Sequence, residues 1–371
     1  MMSAKSRRAR RIVGLTVTVF VTAALASCAG EGDPQATEKP PATDGVVRVG
    51  LYGGGWGDAV AATAGKKFEE ETGARVEYVY GNPSDIAAQI YAARAQGAPP
   101  PVDIIQSGSQ IREQLAGVGA LVPLSEYQLD PDEVFGEIMQ THTGDYSPGS
   151  CDWHLMLTYN AEAFDDAGLD APDSWEDLFA PELAGRVSIP SIATDMGLPT
   201  AVAYAGPAGD LSAGIAKLGT LQVHSVYDST SDVLTDLGAG NVWVAALSEG
   251  GAWRLVDEDD RFTAVLAEVE GTGKTGPLGG QCLNDIVEGS ENQELAEQFL
   301  RATYNPQVQV EFAKLAGYAP SDPVAKELLV TEEPSWADRI PNSDDVLTID
   351  WPRYVPDLQS YVDEFNATVN R

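Results

Sequence analysis

The chain has 371 residues and carries 56 Asp and Glu against 23 Lys and Arg, a formal net charge of −33. So acidic a molecule repels phosphate backbones, which excludes nucleic acid as a partner class, and most of the excess reads as a solvated surface of which Asp257 to Asp260 is one run. His142, His154 and His224 are the only histidines and none stands at ligand spacing from a cysteine, so no zinc site is expected.

The N-terminus carries Lys5, Arg7, Arg8, Arg10 and Arg11, then an apolar run from Ile12 to Leu25 that is short for a bilayer span and flanked like an export signal. Leu25-Ala26-Ser27-Cys28 resembles the lipobox of bacterial lipoproteins. That resemblance implies cleavage before Cys28, acyl chains on that residue, and a mature chain held outside the cytoplasmic membrane by lipid rather than by a spanning helix. The paired arginines leave both the general and the twin-arginine export routes open. Loss of residues 1–27 removes five cations and no acid, taking the mature charge from −33 to −38. Residues 28–45 lack large apolar side chains and are rich in Pro, Gly and Thr, the composition of a flexible tether. The remainder is long enough for two compact domains, and no later apolar stretch is long enough to cross a membrane. With Cys28 used for the anchor, Cys151 and Cys282 form an even pair in an oxidising compartment, where a disulfide is the expected state.

Val46 to Tyr52 reads as a strand and Gly53-Gly54-Gly55-Trp56-Gly57 as a loop. A helix capped by Asp58 follows, with Val60, Ala64 and Phe68 on one face and Gly73 at its end, and Arg75 to Tyr80 alternates as the next strand. The glycines lack the spacing of a dinucleotide fingerprint or a P-loop, so no nucleotide cofactor is expected. Ser84 then caps a helix to about Gln96, and Val102 to Gln106 is a buried strand ending at Ser107-Gly108-Ser109. Ligands of open α/β sheets bind beyond the carboxyl ends of strands, and Tyr52, Trp56, Ser107 and Ser109 all stand at such ends.

Four motifs in order then carry a family resemblance. The first is Leu51 to Val79 with its Gly-Gly-x-Trp loop, and the second is Pro172-Asp173-Ser174-Trp175-Glu176-Asp177-Leu178-Phe179 followed by Pro181 to Val187. Asn292 to Leu300 with Asn305-Pro306 is the third, and Ala316-Gly317-Tyr318-Ala319-Pro320 the fourth. Together they resemble the solute-binding proteins of bacterial ABC importers, in the spermidine/putrescine-binding-like branch. The resemblance implies an α/β, two-lobed periplasmic-binding-protein-like fold of type II with lobes joined by crossing hinge strands. Lobe 1 would hold residues 46–155 and 284–330, lobe 2 residues 156–283 and 331–371, with Cys151 and Cys282 near the two crossings. It also implies a monomer that closes on a small solute, performs no chemistry, needs no cofactor or metal, and hands the solute to a membrane permease.

In polyamine receptors, by the same resemblance, the second crossing segment brings a ring and a carboxylate to the ligand's ammonium groups, because cation–π contact and charge pairing both favour a desolvated amine. Here the corresponding positions are Gln281 and Leu283, followed by Asn284 and Asp285, so the linear-polyamine pattern is incomplete. Asp195, after the Val187 to Pro190 segment, and Glu249, before Gly250-Gly251-Ala252-Trp253, are the acids expected to meet a cationic amine. Gln281 and Asn284 would suit its polar groups, and Tyr52, Trp56, Trp153, Trp253 and Tyr318 are the aromatic candidates. Trp175 is expected in the core and Trp243 in a buried strand. The alternatives are a ferric-ion or sugar/anion receptor of the same fold and, of another class, a tethered extracellular hydrolase or a sensor for a signalling partner. No Tyr-Tyr pair supports iron binding and no G-x-S-x-G supports a serine hydrolase.

Overall fold

A computed structural model describes residues 45–369. The export signal, Cys28 and the tether as far as residue 44 lie outside the described residues. Eleven strands occur among the described residues, the first seven interleaved with helices and the last four consecutive: β1 (Val46–Leu51), β2 (Arg75–Tyr80), β3 (Ile104–Ser107), β4 (Cys151–Asn160), β5 (Val187–Pro190), β6 (Val223–Tyr227), β7 (Val244–Ser248), β8 (Phe262–Val265), β9 (Glu268–Val269), β10 (Lys274–Thr275) and β11 (Leu278–Ile286). Among the described residues no helix is long and apolar enough to cross a membrane.

The main sheet runs β2-β1-β3-β11-β4-β7-β5-β6, with β8 also on β4. At one end β1 pairs in parallel with β2 and β3, and at the other β5 pairs in parallel with β6 and β7. The long strands β4 and β11 join these two α/β halves and pair antiparallel with each other. Short, fully buried strands such as Val187–Pro190 are what a parallel sheet covered by helices on both faces requires, and each half has its own core. One core surrounds Val47, Val49, Leu51, Phe68 and Phe299; the other surrounds Leu157, Ile189, Val244, Trp175 and Ile215. Leu358 and Phe365 of the last helix, Leu358–Thr368, belong to the second core, whereas Trp336 packs with Val310 and Ala313. Cys151 and Cys282 sit opposite each other on β4 and β11 and are disulfide-bonded, Cα to Cα 5.0 Å.

Several local expectations shift. The first helix starts at Gly55, not after Asp58, because Gly54 at φ 66° caps it with no side-chain hydrogen bond, so the helix begins four residues earlier. It continues through a π turn, Ala61–Gly65, and ends at Gly73 in the left-handed region. The next helix, Pro83–Gln96, is capped by Asn82, whose side chain accepts from Ser84 N–H. Trp175 is buried as expected, but Trp243 precedes β7 half-buried, with the Arg186 guanidinium 5.0 Å from its ring centre.

Candidate functional site

The carboxyl ends of the parallel strands from both halves converge on one cavity of about 830 Å³. Tyr52 follows β1, Ser107 ends β3, Asp195 lies five residues beyond β5, Asp228 follows β6 and Ser248 ends β7, and all five line it. This is the strand-end rule for open α/β sheets applied twice, once from each half.

On the wall supplied by the first half, Trp56 donates Nε1–H to Gln106 Oε1 at 3.0 Å and stands edge-on to Phe312 and Tyr318 at 4.9 and 5.4 Å between centres. Gln106 is anchored in turn by donating to Asn284 Oδ1 at 2.8 Å. Tyr318 reaches the cavity because Gly250 gives way: a Cβ there would lie 2.4 Å from its ring. Its hydroxyl meets Ser248 Oγ at 3.0 Å, and burial pushes its phenol pKa up. Ser107 Oγ is buried at the cavity wall with no hydrogen-bond partner among the described residues.

Asp195 crosses from the second half. Turns at Ser191–Thr194 and Thr194–Gly197 close the loop after β5, with Ser191 N–H donating to the Tyr227 carbonyl at 2.8 Å. The carboxylate rests on Gly108, where a Cβ would lie 2.9 Å from Oδ2, so only glycine admits this approach. Its partners are Gly108 N–H and the Tyr52 hydroxyl, both neutral. Burial drives its pKa up to about 6, and those two donors only partly offset the rise. Burial first, and then the neighbouring Asp195 charge, also push the Tyr52 phenol well up.

Eight of the eleven expected ligand-binding residues line this cavity: Tyr52, Trp56, Ser107, Trp153, Asp195, Trp253, Gln281 and Tyr318. Three do not. Ser109 is turned toward β11, where its Oγ accepts from Gln281 N–H at 3.5 Å. Asn284 is buried behind the wall, bonded to Gln106 and, at 3.0 Å, to Ser150. Glu249 is 2 % exposed; it pairs with His154 Nδ1 and accepts from the backbone N–H groups of His154 at 3.1 Å and Ala319 at 3.3 Å. Asp285 is also withdrawn, bound by Arg112 at 2.7 and 2.8 Å. Leu283 is buried opposite Ser107, so the second crossing segment presents neither ring nor carboxylate.

The cavity also holds residues that the sequence reading passed over. The helix Glu249–Glu258 turns Gly250, Trp253, Arg254 and Asp257 toward it, a spacing of three and four that a helical-face analysis would have selected. Asp257 is therefore no mere member of a solvated run: it pairs with Arg339 at 2.6 Å, and that guanidinium stacks 4.8 Å from the Trp253 ring centre. Lys314 is paired with Glu332 at 2.7 Å. Asp228 lies at the exposed edge and Arg254 farther along, neither in an ion pair among the described residues.

Residues 63–340 match the family described as "Bacterial extracellular solute-binding protein". The chain belongs to that family. Among solved structures, the solute-binding protein is similar to an ABC transporter protein of Clostridium perfringens, at 21 % identity and TM-score 0.67, covering 87 % of this chain and 100 % of that one. It is also similar to a Listeria monocytogenes protein assigned to spermidine/putrescine ABC transport, at 20 % identity and TM-score 0.67, covering 86 % and 98 % of the two chains. A third is AgtB of A. tumefacien R10 in complex with agropinic acid, at 16 % identity and TM-score 0.64, covering 89 % and 100 %. At these identities the likeness establishes the two-lobed fold, with the cavity as its interlobe cleft. No curated protein matches the chain. The family is one of binding proteins, and the solute-binding protein is accordingly a receptor rather than an enzyme.

Proposed function

We propose that this solute-binding protein is the receptor of an ABC importer, that it captures a small polar solute carrying a cationic amine, and that it delivers the solute to a membrane permease. One observation carries the amine: Asp195 presents a carboxylate to the cleft with only neutral donors around it, and burial holds its pKa near 6. Such a group gains most from a cation, because a desolvated charge-assisted pair replaces the water it has lost. Tyr52, Trp56, Trp153, Trp253 and Tyr318 supply ring faces for the rest of the molecule. Closure is then a population shift toward the state in which both lobes touch the ligand, and β4 and β11 with their disulfide are the segment about which the lobes turn. The lobe boundaries near residues 155 and 283, a monomeric state, and retention at the membrane by lipid on Cys28 belong to the same reading.

The test is the melting temperature of the chain from Gly45 onward against polyamines, opines, amino acids, sugars and ferric ion. A ligand at a hundred times its dissociation constant stabilises by about 2.7 kcal/mol, a shift of several degrees. An amine-bearing compound is expected to shift the melt and Asp195→Asn to abolish the shift. A response confined to sugars, anions or iron would reject the amine reading. Retention at the membrane is checked by Cys28→Ala, which is expected to release the protein from the membrane fraction.

A further inference from the structure

We propose that Arg254 holds an anionic group of the solute, a carboxylate or its equivalent, and that the receptor's preferred class is therefore the amino-acid- or opine-like zwitterion rather than the polyamine; the cationic half of this statement rests on the amine reading of Asp195. Arg254 lines the cleft, is exposed there, and its guanidinium makes neither a hydrogen bond nor an ion pair among the described residues. What sets it apart is its place in the cleft, since 56 acids stand against 23 bases in this chain and, among the described residues, none of those acids is paired with it. The other two cations lining the cavity are both neutralised, Arg339 by Asp257 at 2.6 Å and Lys314 by Glu332 at 2.7 Å. Asp257, three residues along the same helix, is thus already taken by Arg339. A planar guanidinium left free in a cleft offers parallel N–H donors matched to a carboxylate.

Position adds a second argument. Arg254 belongs to the second half of the molecule, yet its Nη1 would lie 3.7 Å from a Cβ on Gly55, so the guanidinium faces the glycine turn of the first half. An anion held there touches both lobes, and its binding energy goes into closure. The two unpaired charges also sit at different places in the cleft. Asp195 rests on Gly108, Arg254 faces Gly55, and the Tyr52 and Tyr318 rings lie in the same cavity, Tyr52 within electrostatic reach of Asp195 and Tyr318 of Arg254. A solute satisfying both carries its opposite charges on separate groups. A diamine would satisfy Asp195 while placing its second ammonium where Arg254 repels it.

The experiment compares α,ω-diamines, ω-amino acids and monocarboxylates of matched chain length, together with L-amino acids, by calorimetric titration of the full chain in detergent. Wild type is expected to bind its best amino acid at least tenfold tighter than the matched diamine. Arg254→Gln is expected to lose about 10- to 100-fold in that affinity, the range for a hydrogen bond to a charged group, with Arg254→Lys in between and Arg254→Glu favouring the diamine. Because the side chain is exposed, these variants keep the wild-type melt in the absence of ligand. A diamine that binds tighter than every zwitterion overturns the proposal, as does an Arg254→Gln affinity within twofold of wild type or silence of the zwitterions as a class. Monocarboxylates that bind through Arg254 with no effect of Asp195→Asn would uphold the anion site and reject the amine reading instead.

Discussion

Asp195 and Glu249 follow adjacent strands of the same half and look equivalent on paper, each an acid just past a buried β-segment. Their surroundings are opposite. Glu249 is buried out of the cavity, where His154 Nδ1, His154 N–H and Ala319 N–H use both of its oxygens. Asp195 leans into the cleft on Gly108 with two neutral partners and a pKa raised to about 6. The acid whose hydrogen bonds are complete ties the hinge strand to the Tyr318 loop, and the acid left short of a cation is the one we propose as the solute's partner.

The sharpest way to break this contrast is to remove each acid. Glu249→Ala leaves His154 and two buried N–H groups without an acceptor, for which about 3 kcal/mol is expected, on the order of 4–5 °C in melting temperature with no ligand present. Asp195→Asn is expected to do the reverse: it removes a desolvated charge, leaves the unliganded melt unchanged or higher at neutral pH, and costs about 10- to 100-fold in amine affinity. If Asp195→Asn proved the more destabilising of the two, the assignment of roles would be wrong.

Acidity gives a finer test. The folded pKa of Asp195, about 6, lies above its ordinary value of 3.8, so between these values the native chain binds more protons than the unfolded chain. This group's contribution to stability is therefore full below about pH 4 and lost as pH rises through 6. Asp103 works the other way. Burial alone would raise its pKa, but hydrogen bonds from Arg48 and Ser290 hold it below the ordinary value, so its contribution is lost only at more acid pH. The wild-type melt minus that of Asp195→Asn, scanned from pH 4 to 7 without ligand, is expected to fall with rising pH, and a saturating amine ligand should flatten the curve. The smallest effect is expected from Gly108→Ala, whose backbone at φ −91° tolerates a side chain but whose methyl would push on the Asp195 carboxylate. Weaker solute binding with less than about 1 kcal/mol of stability change is the expected result.

Much of this molecule is written locally. Period-two apolar runs, a left-handed glycine at residue 73, and proline-bounded turns mark strand–helix units, and the aromatic and hydroxyl residues at strand ends mark the cleft. Cys151 and Cys282 are both visible in the sequence, and their antiparallel register brings them together. Where the local reading went astray, a nonlocal partner was responsible. Ser109 turned to β11, Asn284 to Gln106 and Ser150, Glu249 to His154, and Asp257 to Arg339.

Sequence by itself determined the α/β class, the order of elements and the strand ends that line the cavity, because these depend on periodicity and backbone preference within a few residues. Tertiary structure alone decided which charges are spent and which are left over. Glu249 finds His154 across 95 positions and Asp257 finds Arg339 across 82. A carboxylate or guanidinium is available to a ligand only when every such distant partner is taken or out of reach.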